Sequence, residues 1–158
     1  MNKDKKYLKI AIKQAKLSIK KGGFPAGAVI VLNDKIISKG ISVGNIINNP
    51  TSHGECSSIR KACKKLKTTN LDGAILYASL QPCIMCLSAS FWSGITRIVF
   101  AANKTQEMIQ KGYYEGNNDI KNINNNNSRK IIIKQIKELE EKSLQLVRKW
   151  ESKFNDSK

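Results

Sequence analysis

Two short motifs carry residue types that can do chemistry together: His53-Gly54-Glu55 and Pro82-Cys83-Ile84-Met85-Cys86. On a helix, Cys83 and Cys86 share a face because residues at i and i+3 are neighbours. Helix N-termini carry partial positive charge, which favours the thiolates that bind metal. His53 adds an imidazole nitrogen, and two thiolates with one imidazole suit zinc. Three protein ligands leave a fourth tetrahedral position for water, which separates a catalytic zinc site from a closed structural one. Zinc lowers the pKa of such a water toward neutrality. Glu55, close to His53 in the chain, is the candidate carboxylate to take the water's proton and pass it on.

Plainer readings stand beside this one. Two cysteines in a helix are often simply core, and a lone histidine is more often hydrogen-bonded than metal-bound. A closed site of three cysteines and one histidine would use Cys56, one turn on from His53. Cys56 and Cys63 also complete an apolar stripe with Ile59 and Leu66, so packing accounts for them. The conjunction decides the matter. H-x-E followed by P-C-x-x-C, each opening a helix with a strand between them, is the zinc-deaminase pattern.

The elements that must position these residues are legible from periodicity. Residues 5–20 carry Leu8, Ala11, Ile12, Ala15 and Ile19 on one helical stripe, ended by Gly22-Gly23. Residues 27–32 read as a buried strand, Asn33-Asp34 as a turn and Lys35 to Ser38 as the start of a return strand. An Asn-rich loop ends at Pro50, and Thr51 or Ser52 can cap a helix running to about Leu66. Residues 74–79 form a third strand, Pro82 opens a helix that ends near Gly94, and Ile95 to Ala101 is a fourth strand. Asn122 to Asn127 reads as a low-complexity loop, Lys130 to Lys134 as a short strand and residues 137–153 as a last helix. The alternation of helix and strand is an α/β layered pattern, and residues 1–158 read as one domain.

Composition bounds the rest. Apolar residues make up 41% and charged residues 25%, ordinary for a soluble globular chain. No apolar run could span a bilayer and no signal-peptide core follows the first residues, so the expectation is a cytoplasmic protein with no membrane partner. The formal charge of +16 fits either a nucleic-acid-binding face or a compositional bias. Lys, Asn and Ile are all abundant, as an AT-rich coding sequence produces, and the lysines are dispersed along the chain. Dispersed charge reads as a solvated face.

The chain resembles the cytidine deaminase superfamily over roughly residues 5–112, most closely the branch of bacterial guanine deaminases and tRNA adenosine deaminases. Pro25-Ala26-Gly27-Ala28-Val29 resembles that branch's P-x-G-A-V lead into the first strand, and Asn49-Pro50-Thr51-Ser52-His53 its D-P-T-A-H segment. Ile59-Arg60-Lys61-Ala62-Cys63 resembles the guanine deaminase helix, and Leu76-Tyr77 with Pro82 to Leu87 the L-Y…E-P-C-x-M-C-L segment. The resemblance implies a three-layer α-β-α sandwich around a mixed sheet of about five strands. It implies one zinc per subunit on His53, Cys83 and Cys86, and hydrolytic release of ammonia from an amino-bearing ring with Glu55 moving protons. It implies a homodimer, with substrate held near Gly27, Ala28 and the Cys83 amide.

Departures fall on the substrate side. Gln81 stands where the branch has Glu, as in yeast-type cytosine deaminases, which also use H-G-E. Ser42 stands where the family has a base-binding Asn, with Asn45 nearby. Ala26 replaces an aromatic, with Phe24 close, and only Glu115 is placed to supply a C-terminal carboxylate. Phe24, Ser42, Asn45 and Glu115 are therefore the candidate substrate residues. Phe91 and Trp92 are expected in the core, and the segment holding Tyr113, Tyr114 and Trp150 could close a site. Three functions follow: a guanine deaminase-like nucleobase deaminase, a tRNA adenosine deaminase, or a non-catalytic zinc-stabilised binding module.

Overall fold

The computed structural model describes residues 2–156; Met1, Ser157, Lys158 and the Phe154 side chain lie outside the described residues. The elements run α1 (Lys3–Lys20), β1 (Phe24–Leu32), β2 (Lys35–Ser42), α2 (Gly44–Ile47), α3 (Gly54–Leu66), β3 (Ile75–Leu80), α4 (Ile84–Trp92), β4 (Arg97–Ala102), α5 (Gln106–Gln110), α6 (Ile120–Asn126), β5 (Ile132–Gln135) and α7 (Glu140–Asn155). A short 3₁₀ turn, Lys137–Leu139, leads into α7. The sheet has five strands in the order β2-β1-β3-β4-β5. β1 is antiparallel to both β2 and β3, whereas β3, β4 and β5 are parallel, so the sheet is mixed as expected.

The sheet is buried on both faces, and β1 shows why. Ala28 and Ile30 point to one side, into a core with Ile59 and Ala62 of α3, Leu87 of α4 and Ile120 of α6. Val29 and Val31 point to the other side, against Tyr7, Leu8 and Ala11 of α1. Period-two alternation thus feeds two helical layers, which is the three-layer sandwich. Asn33 and Asp34 close the β1–β2 hairpin with φ of 50° and 60°, the left-handed pair that matches strand twist. No helix among the described residues is long and apolar enough to cross a membrane.

Three expectations need correction. Residues 122–127 are not a loop: α6 covers most of them, because Ile120 is buried and Asn124 bonds both backbone groups of Ile131, donating to its carbonyl (2.8 Å) and accepting from its amide (2.9 Å). Trp92 is not core but 81% exposed, while Phe91 packs on the core as expected. The loop before Pro50 contains the short α2.

One ion pair fastens α1 across the sheet. Arg97 of β4 makes a two-pronged contact with Asp4 (2.9 and 2.6 Å), and the Tyr77 hydroxyl donates to the same carboxylate (2.9 Å). Burial pushes the Asp4 carboxyl up, but the Arg97 and Tyr77 hydrogen bonds outweigh it and hold the group below its ordinary value. Folding lowers this pKa, so its contribution is complete above the unfolded value near ~3.9 and is lost as pH falls through the lower folded value. Asp4→Asn is expected to cost about 1.5–3 kcal/mol at neutral pH. Urea denaturation across the acid range checks it: the gap between variant and parent narrows as the pH drops below about 4.

Candidate active site

The site forms where β3 ends and β1 begins. These strands are antiparallel, so Phe24 and Ala26 at the start of β1 lie beside Leu80 at the end of β3. Ligands of open α/β sheets bind at the carboxyl ends of parallel strands, and β3 and β4 end here. Gln81 and Pro82 then lead into α4.

Two side chains sit at helix caps without capping. His53 is the N-cap of α3 and Cys83 that of α4; both have extended backbones, and neither side chain makes a capping hydrogen bond. Neither Thr51 nor Ser52 is the cap, which corrects the sequence expectation. Thr51 is held outside the helix by two hydrogen bonds to Asn49 Oδ1, and the buried Ser52 hydroxyl accepts from Arg60 (3.0 Å). Pro82 likewise precedes the helix rather than opening it.

The freed side chains converge. His53 Nδ1 lies 3.5 Å from Cys83 Sγ and 3.7 Å from Cys86 Sγ. The three donor atoms lie within 4.8 Å of one another, a set that could hold a metal ion. One borderline nitrogen and two sulfurs fit zinc, and Cys56 is not in the set, so the closed four-donor arrangement is not formed. Cys56 Sγ instead touches Cys86 Sγ at 3.5 Å.

The protons in this cluster are displaced from their ordinary positions. The hydrogen bond to Cys83 raises His53 to about 9. Hydrogen bonding from Cys86, together with His53, lowers Cys83 to about 6 despite its burial. Contacts with Cys56 and Cys83, together with burial, push Cys86 well up. A metal binding at this cluster displaces protons from the imidazole and the thiols, so binding releases protons. Glu55, in the first turn of α3 and 6% exposed, places Oε2 3.5 Å from Cys86 Sγ. Burial raises its carboxyl to about 7.

A cavity of about 440 Å³ opens onto His53, Glu55 and Cys83. Three of the candidate substrate residues, Phe24, Ser42 and Asn45, line it. Asn45 Nδ2 donates to Gly22 O (3.1 Å), and the Ser42 backbone bonds the Ser18 hydroxyl in both directions. Gly27 and Ala28 are not in the lining. Ala28 is core beneath α3, and the Gly27 amide donates to Ser79 Oγ (3.0 Å). Glu115 also lies outside the lining: Oε1 accepts from the Met85 amide (3.4 Å) at the start of α4. Burial would raise its carboxyl, but backbone amides and the Cys83 thiol outweigh this and hold it low.

Sequence reasoning missed Leu80 as a lining residue, named Gln81 only as a departure from the branch's Glu, and left open what Tyr114 touches. The Tyr114 hydroxyl donates to Gln81 O (2.7 Å), tying the approach to α4 to the segment after α5. Phe24, Tyr113 and Trp150 form an edge-to-face trio with centroids 5.2, 5.2 and 5.6 Å apart. Trp150 of α7 thus walls the cavity of its own chain. Glu151 Oε1 accepts from Tyr113 (2.8 Å) and Lys111 (2.8 Å), which fixes that wall.

The chain is similar to proteins of known activity. A tRNA-specific adenosine deaminase of Aquifex aeolicus is 42% identical over 61% of this chain and 64% of its own length. A guanine deaminase of Bacillus subtilis is 43% identical over 63% of this chain and 64% of its own. The chain thus spans a little under two thirds of the length of the curated relatives it matches. The X-ray structure of guanine deaminase from Bacillus subtilis superposes with a TM-score of 0.66 at 39% identity, covering 70% of this chain and 71% of that one. A structure from a study of A-to-I editing by tRNA:A34 deaminases shares the fold, with a TM-score of 0.78 at 24% identity over 90% of this chain and 99% of that one. Residues 1–102 match the model of the cytidine and deoxycytidylate deaminase zinc-binding region, and the chain belongs to that family.

Proposed function

We propose that this protein is a hydrolytic deaminase of a free amino-bearing nucleobase or related heterocycle, guanine deaminase-like in substrate class. The observation that carries the reading is one cavity lined both by His53, Cys83 and Glu55 and by the aromatic rings of Phe24, Tyr113 and Trp150. A planar ring suits such a wall, because aromatic pairs favour stacked and edge-to-face contact. The cavity volume lies in the range of small-molecule sites.

His53, Cys83 and Cys86 would hold zinc, which when bound supplies Lewis-acid activation of a water. The chain's own residues do the rest. The water oxygen bonds to the amino-bearing ring carbon while Glu55 passes one water proton to the ring nitrogen and the other to the exocyclic nitrogen; the C–N bond breaks and ammonia leaves. The aromatic trio holds the ring's plane. Burial of Glu55 and of the cavity floor excludes bulk water from the proton path.

Among the described residues, no Lys or Arg lines the cavity. Lys13, Lys16 and Lys20 of α1 and Lys149 and Lys153 of α7 gather instead around a separate groove. That groove and the charge of +16 favour the second reading, a tRNA adenosine deaminase, since phosphate contacts need lysine and arginine. An ammonia-release screen decides between them. Turnover is expected with guanine or a related aminopurine or pterin. Inosine formation in tRNA with no ammonia from any free base would establish the second reading and overturn the first.

A further inference from the structure

The proposed mechanism uses two of the sulfurs at the centre of the molecule and leaves a third beside them. Cys56 lies one turn beyond His53 on α3, is partly exposed, and holds Sγ 3.5 Å from that of Cys86 on α4. Cys83 and Cys86 are buried. We propose that Cys56 is an oxidation site whose reaction with a hydroperoxide cross-links it to Cys86 and so dismantles the metal centre. The inference rests on reading His53, Cys83 and Cys86 as the metal donors.

Three features single out Cys56. Cys56 is partly exposed, whereas Cys86 is buried and Cys83, which faces the cavity, is engaged as a donor. It is outside the donor set, so its thiol stays available while the other two are engaged. A resolving sulfur is already adjacent: a disulfide needs about 2.05 Å, so closure requires only about 1.5 Å of approach. Side-chain torsions at the first turns of two helices can supply that.

The chemistry balances with a hydroperoxide as oxidant. The Cys56 sulfur attacks a peroxide oxygen, the O–O bond breaks, an S–O bond forms and water leaves, giving a sulfenic acid. The Cys86 sulfur then attacks the Cys56 sulfur and gives up its bond to the metal; the S–O bond breaks, the S–S bond forms, and the oxygen leaves as a second water with a proton taken from solvent. The two sulfurs lose two electrons and the peroxide gains them. His53 and Cys83 alone are too few donors to hold zinc against solvent. Cys63, two turns along the same helix, packs on the core and offers a matched comparison.

The test treats the zinc-loaded protein with hydrogen peroxide, follows metal release with a chromogenic chelator, and maps cross-linked peptides by mass spectrometry. Release together with a Cys56–Cys86 cross-link, both reversed by dithiothreitol, is expected for the parent and for Cys63→Ser. Loss of peroxide-driven release is expected for Cys56→Ser. Release from Cys56→Ser at the parental rate, or a cross-link joining Cys83 to Cys86, overturns the inference alone. Protein that carries no zinc before peroxide refutes the donor assignment itself.

Discussion

Glu55→Gln is expected to lower ammonia release by about 10²- to 10⁴-fold, the range that a positioned general acid-base contributes. Zinc content stays at the parental level, because the variant keeps His53, Cys83 and Cys86 and nearly the same side-chain volume. Thermal stability stays equal or rises, since burial penalises the charged carboxylate and an amide carries no charge to desolvate. The three readouts together separate proton transfer from metal binding and from folding. A loss below about tenfold with zinc retained would sink the proposed role of Glu55.

Gly27→Ala unfolds or severely weakens the protein without adding any polar or bulky group. A Cβ at this position would lie 2.3 Å from the Ala15 amide nitrogen and 2.5 Å from the Gln14 carbonyl carbon and Cβ. Two of these atoms are helix backbone, and α1 cannot retreat because Leu8, Ala11 and Ala15 are fully buried. On the other side, Gly54 packs close, with its own added Cβ only 3.1 Å from the Gly27 Cα. Overpacking of this kind costs about 1–3 kcal/mol and more where backbone must move. Urea denaturation reads the loss directly. A midpoint within error of the parent would show that α1 and β1 can part, and that the glycine serves something else. The position drew attention in the sequence as a substrate contact; its role here is close packing of helix, strand and motif.

What the sequence made legible follows from how local each signal is. His53, Glu55, Cys83 and Cys86 were identifiable because each pair sits within one helical turn, and the sheet because β1, β3 and β4 are continuous apolar runs. The cavity wall was only partly legible. Trp150 meets Phe24 across nearly the whole chain, and nothing in either segment encodes the other. The reading of residues 122–127 as a loop failed because asparagine favours turns, whereas Asn124 earns its helical place through two bonds to Ile131. The caps failed for a related reason. Thr51 and Ser52 are better caps by type than His53, but Asn49 and Arg60 engage them first.

The wall formed by Trp150 has a consequence for how the protein is made. A ribosome delivers the chain from its N-terminus, and folding follows that order. All three donors and Glu55 lie within residues 53–86, and β4 completes the parallel pair above them soon after. α7 comes last. A nascent chain halted after β4 therefore already carries the whole donor set but has neither Tyr113 nor Trp150 to face Phe24, so the centre can be assembled in an open cleft that the segment of Tyr113 and Tyr114, and then α7, turn into a pocket.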